Sequence, residues 1–203
     1  MNLSFRTAKS RPNGLARTFE SHHPDAAAPA AGGTLSQVMR HLGPDAADMV
    51  RADHTRVLAL FHRYKQSADA RQRRSLAELI CTALEIHAQV EEELLYPALQ
   101  AIGADRATLA KSVPQHDEMR SEIARLRHLS AEDPRFDTTF LRLMREVIHH
   151  VADEETILLP QAEAGLGEDL QTLGARMNAR RIALHAPAIG RVAWSALGAL
   201  RTL

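Results

Sequence analysis

Cysteine is nearly absent from this chain of 203 residues, in which Cys81 is the single example. One cysteine cannot form an intrachain disulfide, and it cannot build a thiolate cluster around a metal. Disulfide-stabilised secreted folds and cysteine-ligated metal sites are therefore excluded. Because so little cysteine is typical of a reducing compartment, we expect a cytoplasmic protein.

The chain also lacks net charge, long apolar runs and aromatic residues. Its 25 basic and 25 acidic side chains balance, so no overall field draws it to nucleic acid or to an anionic membrane, and neither partner is expected. No stretch approaches the ~20 apolar residues that span a bilayer. Aromatic residues make up only 4% of the chain, whereas the helix formers Ala, Leu and Arg are abundant, which predicts an all-α protein.

Composition divides the chain into three parts. Residues 1–33 contain Pro, Asn and Gly signals and no periodic apolar face, which predicts a flexible leader. Residues 34–185 carry helical patterns and form the predicted domain, beginning with a short helix that Thr34 caps. Residues 186–203 form an amphipathic segment that could pack on the domain or join two copies as a homodimer.

Four longer stretches have apolar residues at alternating steps of three and four, as helices buried on one side require. The short turns between them favour antiparallel neighbours, so we predict an up-down-up-down four-helix bundle. Pro114 predicts that the third helix starts or kinks there, and a fifth helix is expected from Leu166 to about His185, ended by Pro187. The predicted inward positions of the third helix are Leu109, Val113, His116, Ile123 and Leu126.

An internal repeat carries the chemistry. Residues 87–97 superpose without a gap on residues 150–160, and each copy reads His-x-x-x-Glu-Glu, then apolar residues, then a proline ten positions after the histidine. A lone histidine on an apolar stripe precedes each copy, His54 by 33 residues and His116 by 34. The chain is therefore predicted to contain two similar helical hairpins.

Residues four apart lie on one face of a helix, so each copy directs one imidazole and one carboxylate to the core. Burying two carboxylates among aliphatic residues is unfavourable unless a cation compensates the charge. Mixed imidazole and carboxylate donors suit iron, manganese or zinc, and a symmetric pair of hairpins would give each metal two histidines and two shared glutamates. The predicted ligands are His54, His87, Glu91, His116, His150 and Glu154.

From about Val50 to Leu184 the chain resembles the hemerythrin-like, or HHE cation-binding, family through this series of His and His-x-x-x-Glu motifs. The resemblance implies a four-helix bundle around two non-haem iron ions with an oxo or hydroxo bridge. It also implies a small ligand, namely O2, nitric oxide or peroxide, which members of the family bind, sense or react with, some of them in stress response or iron–sulfur repair. Reaction as an oxidoreductase and binding without catalysis both stay open at this point.

The third helix departs from the pattern of the oxygen-carrying hemerythrins, which have a second histidine four residues after the first. Arg120 occupies that position here and cannot be a ligand. The fourth helix also has His150-x-x-x-Glu154 where the carriers have His-x-x-x-x-Asp. Fewer histidines and more open coordination positions favour a reactive site over a reversible oxygen carrier. A purely structural zinc site is a third alternative.

Some neighbours compete with the predicted ligands. His149 and Asp153 also stand four apart, but the repeat and the apolar stripe select His150, which leaves His149 about 100° around the helix. Glu92 and Glu155 are expected to form a solvated row or to contact the ligands from outside.

Other residues near the motifs have ordinary expected roles. Tyr64 and Tyr96 could reach the edge of the site, but filling the core with a solvated hydroxyl is the expected role for both. Asp53 and Asp117 adjoin ligand histidines, and local capping or ion pairing is expected for them. Cys81 lies among core positions and is expected to be a buried, inert thiol.

Overall fold

The computed structural model describes the backbone of residues 43–199 and the side chains of residues 43–186. The predicted leader and the short helix capped by Thr34 lie outside the described residues. So do most side chains of the C-terminal segment, on which the homodimer prediction depends. Residues 43–199 are helical and form no strand. No helix in this part of the chain is both long enough and apolar enough to cross a membrane.

The described chain consists of seven α-helices and two π turns. The helices are α1 (Ala46–Gln66), α2 (Ala70–Val90), α3 (Tyr96–Ala101), α4 (Arg106–Arg127), α5 (Pro134–Asp153), α6 (Leu159–Leu166) and α7 (Asp169–Ala199), and the π turns are Glu91–Leu95 and Glu154–Leu158. α1 packs against α2, α4 packs against α5, and α2 also contacts α4. The predicted all-α, up-down-up-down four-helix bundle is confirmed.

Each of the four long bundle helices begins after an aspartate. Its carboxylate accepts a hydrogen bond from a backbone N–H in the first turn, which satisfies one of the donors that a helix start leaves unpaired. A negative charge there is also stabilised by the helix dipole. These caps explain why the chain turns at its short polar segments. The four capping residues are Asp45, Asp69, Asp105 and Asp133.

Two apolar clusters fill the bundle, one towards each end. The first includes Met49, Leu99 and Met177, so it joins α1 and α3 to the C-terminal helix α7. The second includes Ile80 and Phe140 and lies towards the other end of the long helices. Buried polar side chains of the four bundle helices lie between the two clusters. This polar layer holds the residues that the repeat predicted as ligands.

The third bundle helix differs from its predicted form. α4 begins at Arg106 and runs through Pro114, so the proline does not start the helix. Proline has no backbone N–H, so the helix lacks one hydrogen bond at this position. The prediction that Val113 faces inward is wrong, because its side chain is 41% exposed. Ser112, four residues before His116, takes the buried position one turn earlier.

The C-terminal helix also has different limits. Gly167 separates α6 from α7 with a φ of 52°, a conformation that favours glycine, so the helix begins at Asp169 rather than at Leu166. It continues to Ala199, and the prediction that Pro187 ends it is wrong. α7 packs along α1 and α2. It therefore covers one side of the first hairpin.

We expect Gly174→Ala to destabilise the fold, because a Cβ at this position would lie 2.6 Å from the carbonyl carbon of Asp45 and 2.7 Å from the amide nitrogen of Ala46. Backbone atoms cannot rotate away, so the expected loss is ~1–3 kcal/mol of unfolding free energy. Gly43→Ala is the control, since a Cβ there would meet nothing within 4 Å. Urea unfolding of both variants measures the difference, and equal stabilities would contradict the close seating of α7.

Candidate metal centre

A layer of six buried polar side chains crosses the bundle between the two apolar clusters. Each long bundle helix contributes one histidine, and each π turn contributes one glutamate. No member of the layer is more than 8% exposed. The structure thus brings together all six residues that the sequence predicted as ligands. They are His54, His87, Glu91, His116, His150 and Glu154.

The two glutamates lie at the first positions of the π turns. The backbone N–H of Tyr96 donates to the carbonyl of Glu91, and that of Leu159 donates to the carbonyl of Glu154, five residues back in each case. The next residue is a proline, which has no N–H to donate and crowds the carbonyl four residues earlier. The wider turn accommodates the proline, and π turns of this kind are frequent at functional sites. The sequence predicted no π turn, although the paired prolines of the repeat are the signal that could have indicated both.

One group of donors comprises His54, His87, Glu91 and Glu154, whose ligand atoms lie within 4.8 Å of one another. Nε2 of His54 is 3.2 Å from Oε2 of Glu154, and Nε2 of His87 is 3.2 Å from Oε2 of Glu91. Both histidines belong to the first hairpin, and Glu154 reaches them from the second. Mixed nitrogen and oxygen donors in this arrangement could hold one metal ion.

A second group comprises Glu91, His116 and His150, also within 4.8 Å. Oε2 of Glu91 is 3.5 Å from Nε2 of His116 and 3.9 Å from Nε2 of His150. Glu154 reaches this group as well, because its Oε2 is 3.4 Å from Nε2 of His150. Both glutamates therefore contact histidines of both hairpins, as carboxylates shared by two metal ions would do.

Four buried ligand atoms have no hydrogen-bond partner among the described residues. They are Nε2 of His54, Nε2 of His87, Oε1 of Glu91 and Oε2 of Glu154. A buried carboxylate oxygen or ring nitrogen without a partner is strongly unfavourable in an apolar interior. Metal cations would coordinate these atoms and neutralise the carboxylates, so the residues present fit a metal pair.

The charges in the layer depend on one another. Burial opposes ionisation of Glu91, but the imidazoles of His87, His116 and His150 hold the pKa of its carboxyl well below the usual range. Burial also opposes protonation of His87, yet Glu91 and Asp53 raise the pKa of its imidazole above the ordinary value. Positive charge beside ionised glutamates is therefore favoured in this layer.

Comparison with known proteins places this site in a family. The family model of the hemerythrin HHE cation-binding domain matches residues 45–170. The chain belongs to this family. The matched region contains all six predicted ligands and ends at the start of α7. The bundle is therefore an HHE domain, a helical domain of a metal-binding family.

Two known proteins show how far this likeness extends. A crystal structure of an HHE cation-binding domain-containing protein from Mycobacterium kansasii has a TM-score of 0.64 and 20% identity, and the match covers 74% of this chain and 93% of that chain. This likeness shows the fold. A DNA nickase from Nostoc sp. (strain PCC 7120) is 26% identical over 140 residues, which are 69% of this chain and 40% of the nickase. The chain thus spans less than half the length of that relative.

In this HHE domain each of the two shared glutamates is followed by another glutamate that crosses to the opposite hairpin. Oε1 of Glu155 is 2.7 Å from Nδ1 of His54, and Oε1 of Glu92 is 2.8 Å from Nδ1 of His116. A carboxylate that accepts the Nδ1 proton fixes the tautomer, so that Nε2 is left free for a metal. Of the two roles expected for Glu92 and Glu155, the structure shows contact with predicted ligands from outside.

The other two histidines have outer partners of different charge. Oδ2 of Asp53 is 3.7 Å from Nδ1 of His87, whereas Oε1 of Gln115 is 3.1 Å from Nδ1 of His150. Asp53 also pairs at 2.6 Å with Arg181 of α7. An ion pair was expected for it, but its place beside His87 was not, because it was expected to face away from the site. Since Asp53 and Gln115 occupy equivalent places in the two hairpins, the HHE domain is asymmetric here.

Arginines neutralise the outer glutamates. Arg51 contacts Glu155 at 3.3 Å, and Arg120 contacts Glu92 at 2.8 Å. Arg120 stands where an oxygen carrier has its additional histidine. It acts on His116 only indirectly, because it binds the carboxylate that accepts from the Nδ1 of that histidine.

Tyr96, which was expected to fill the core, belongs to the site. Its hydroxyl donates to Oε1 of Glu154 at 2.8 Å and lies 3.3 Å from Nε2 of His116. Burial raises the pKa of its phenol, and so do Glu91 and Glu154, which keeps the hydroxyl protonated. Its expected role as core filling alone is wrong, because the extra residue of the π turn rotates the helix and brings Tyr96 onto the face of Glu91.

The remaining candidates are placed largely as expected. His150 is 1% exposed, whereas His149 lies on the solvent side of α5. Tyr64 is buried in the second apolar cluster and donates to Asp137 at 2.6 Å. Cys81 is buried too, and burial raises the pKa of its thiol to about 12, so the thiol stays protonated and unreactive.

We expect Glu91→Ala and Glu154→Ala each to lose bound metal, because either change leaves two cations with a single carboxylate between them. His150→Ala should also lose metal, whereas His149→Ala, at the adjacent exposed position, should retain it. Metal content per chain, measured by mass spectrometry after purification, gives the answer. Equal metal content in the two histidine variants would contradict the predicted ligand set.

The outer glutamates should tune metal affinity without being ligands. Glu92→Gln and Glu155→Gln are each expected to weaken metal binding by about 10–100-fold, since the amide is a poorer acceptor for the Nδ1 proton. Glu168→Gln, at an exposed position, is the matched control and should have no effect. Competition with a chromophoric chelator measures the affinities. Unchanged affinity in both outer variants would show that these contacts do not support the histidines.

Proposed function

We propose that this chain is a non-haem di-iron protein that binds a small ligand, O2, nitric oxide or peroxide, and reacts with it. The main support is that two histidine pairs share both buried glutamates within two overlapping donor groups. Such sharing suits two ions held close together, and mixed nitrogen and oxygen donors suit iron. A single structural zinc ion would need only one set of four donors, such as His54, His87, Glu91 and Glu154, and would leave His116 and His150 without a metal.

A small apolar cavity against the donor layer supports a small neutral ligand. The cavity lies on the side of the second apolar cluster, and its walls are aliphatic apart from the site residues. Such a space is about the size of one water molecule, so it excludes large substrates and suits only a ligand of very few atoms. The lining residues are Asp53, His54, Val57, Leu84, His87, Met119, Val147, His150 and Val151.

The side chains around the donor layer would support this chemistry in distinct ways. When bound, the iron pair supplies electrons and open coordination positions for the small ligand. Glu91 and Glu154 would neutralise the cations from both hairpins, and the apolar clusters exclude water, which would strengthen these interactions. The hydroxyl of Tyr96 holds a proton within the layer, 2.8 Å from Glu154.

Reaction is favoured over reversible carriage because Arg120 forms ion pairs with Glu92 and Asp117 in place of binding a metal. One histidine fewer leaves another coordination position open. We infer a role in a stress response or in iron–sulfur repair in the cytoplasm. The alternative is a protein that binds, senses or stores O2 reversibly at the same site, without catalysis.

The nickase relative does not change this proposal. The matched region is 40% of that protein, so more than half of it has no counterpart here. The balanced charge of this chain gives no electrostatic reason to expect DNA as a partner. We therefore propose a small-molecule ligand and no role with nucleic acid or a membrane.

Protein purified aerobically after iron-replete expression should contain about two iron ions per chain, because the two donor groups share their carboxylates. It should also show near-ultraviolet absorption typical of an oxo- or hydroxo-bridged ferric pair. Elemental analysis and an optical spectrum test both points. A single zinc ion per chain, or no metal, would contradict the proposal.

Reaction and reversible carriage differ in the fate of the bound oxygen. When the fully reduced protein is mixed with O2, we expect direct oxidation or at most a short-lived adduct, because an open position lets the ligand react at the metals. Stopped-flow absorbance with subsequent argon flushing measures this. A long-lived oxygenated spectrum that returns to the reduced form on flushing would instead establish the reversible alternative.

A further inference from the structure

Three cavities meet at Asp53 and His87, on the side of the bundle that α7 covers. The small cavity against the donor layer is lined by both residues and by Val57. A groove of about 250 Å³ between α1, α2 and α7 is lined by the same three residues and by Arg181. A third cavity shares Asp53, His87 and Arg181 and reaches Glu91. The groove under α7 therefore adjoins the donor layer through Asp53 and His87.

His87 is the predicted ligand that solvent reaches most easily. It is 8% exposed, whereas the other five are at most 4% exposed. Its outer contact with Asp53, at 3.7 Å, is too long for a hydrogen bond, while the outer contacts of the other three imidazoles measure 2.7, 2.8 and 3.1 Å. His87 is thus both the most exposed ligand and the one held least firmly from outside.

Arg181 lines the groove and pairs with Asp53. Its guanidinium lies 2.6 Å from Oδ1 of Asp53, so Asp53 is bound by Arg181 on one side and faces His87 on the other. Each side chain of the ion pair is only about one-fifth exposed, and Arg181 lines two of the three cavities. The pair therefore neutralises the charge of Asp53 in the groove and occupies part of its wall.

α7 is fixed over the groove by contacts away from the donor layer. Arg180 contacts Glu93 at 2.6 Å, and Gly174 brings the helix against the backbone of Asp45 and Ala46. The family match ends at residue 170, so Arg181 belongs to a helix almost entirely outside the matched domain. Closure of this route is thus a property of the part that extends the HHE domain.

We propose that the groove between α1, α2 and α7 is the port through which metal ions and small ligands pass between solvent and the metal centre, and that Arg181 closes it. The inference rests on the proposed function in one respect, namely that the donor layer holds metal. An arriving cation displaces Arg181 from Asp53, is held by the freed carboxylate, and passes to His87, the nearest ligand. A departing cation takes the reverse route.

The charge of the port affects the passage of cations, whereas the free space in the port affects both cations and neutral molecules. Asp53 without its arginine attracts cations, so loss of Arg181 should accelerate metal passage through both charge and space. A neutral molecule is affected by space alone. Arg181→Lys keeps the positive charge and most of the stem, so it should keep the port nearly closed. Arg181→Ala removes both and should open it.

Exchange of Co(II) on the full-length chain tests the port without requiring iron or any reaction. Uptake is followed by the visible bands of bound Co(II), and release by transfer to a chromophoric chelator. We expect Arg181→Ala to accelerate uptake and release by about tenfold each, so that the dissociation constant hardly changes, and Arg181→Lys to restore slow exchange. Arg176→Ala, at an exposed position on the same helix, is the matched control and should exchange like the wild type.

Two further variants change the port without touching Arg181 or a ligand. Gly174→Ala should displace α7 and accelerate exchange in both directions, as Arg181→Ala does. Thr82→Phe places a bulky ring in the wall of the groove and should slow both directions. If the groove is the route, Gly174→Ala therefore raises the rates of Co(II) uptake and release, and Thr82→Phe lowers both.

Each outcome decides a different point. Unchanged rates in Arg181→Ala and Gly174→Ala, in a chain that binds two Co(II), would overturn the port and leave the metal site intact. Faster release without faster uptake in Arg181→Ala would show that Arg181 supports affinity through Asp53, and would also overturn the port. A wild-type chain that takes up no Co(II) would contradict the proposed function, and the port with it.

Discussion

Two carboxylates buried in the middle of a helical bundle are the constraint on which the rest of the structure depends. Glu91 and Glu154 are fully buried between two apolar clusters, where an uncompensated negative charge is strongly unfavourable. Imidazoles surround them, carboxylates and one amide hold most of those imidazoles from outside, and arginines neutralise the outer carboxylates. Polar contacts thus extend from the centre to the surface, and each layer of side chains holds the one inside it in place.

Two of the bundle helices depart from regular α-helical geometry at this layer. A π turn follows each glutamate because a proline six residues after it cannot continue the ordinary hydrogen-bond ladder. The wider turn changes which residues face inward beyond it, and Tyr96 reaches the layer for this reason. The site therefore uses a local departure from α-helical geometry that the surrounding core stabilises.

The sequence predicted the bundle and the meeting of six side chains because helical periodicity and an internal repeat are both local signals. It did not predict the place of Tyr96, since its count of residues assumed an unbroken α-helix. The inward position of Ser112, in place of Val113, depends on how α4 rotates against its neighbours, which periodicity near a proline does not define. The contact of Arg181 with Asp53 joins residues 128 apart in the chain, and no local pattern indicates such a pair.

The pseudo-twofold arrangement has a consequence for how such a protein can change. A single hairpin supplies only half of the donors, so two identical hairpins would need the same residue at each equivalent place, and every substitution would act twice. With both hairpins in one chain, Asp53 and Gln115 can differ although they occupy matching places. Covalent linkage of the halves thus lets one metal position be altered independently of the other. It also allows α7, which follows the second hairpin in the chain, to pack along the two helices of the first hairpin.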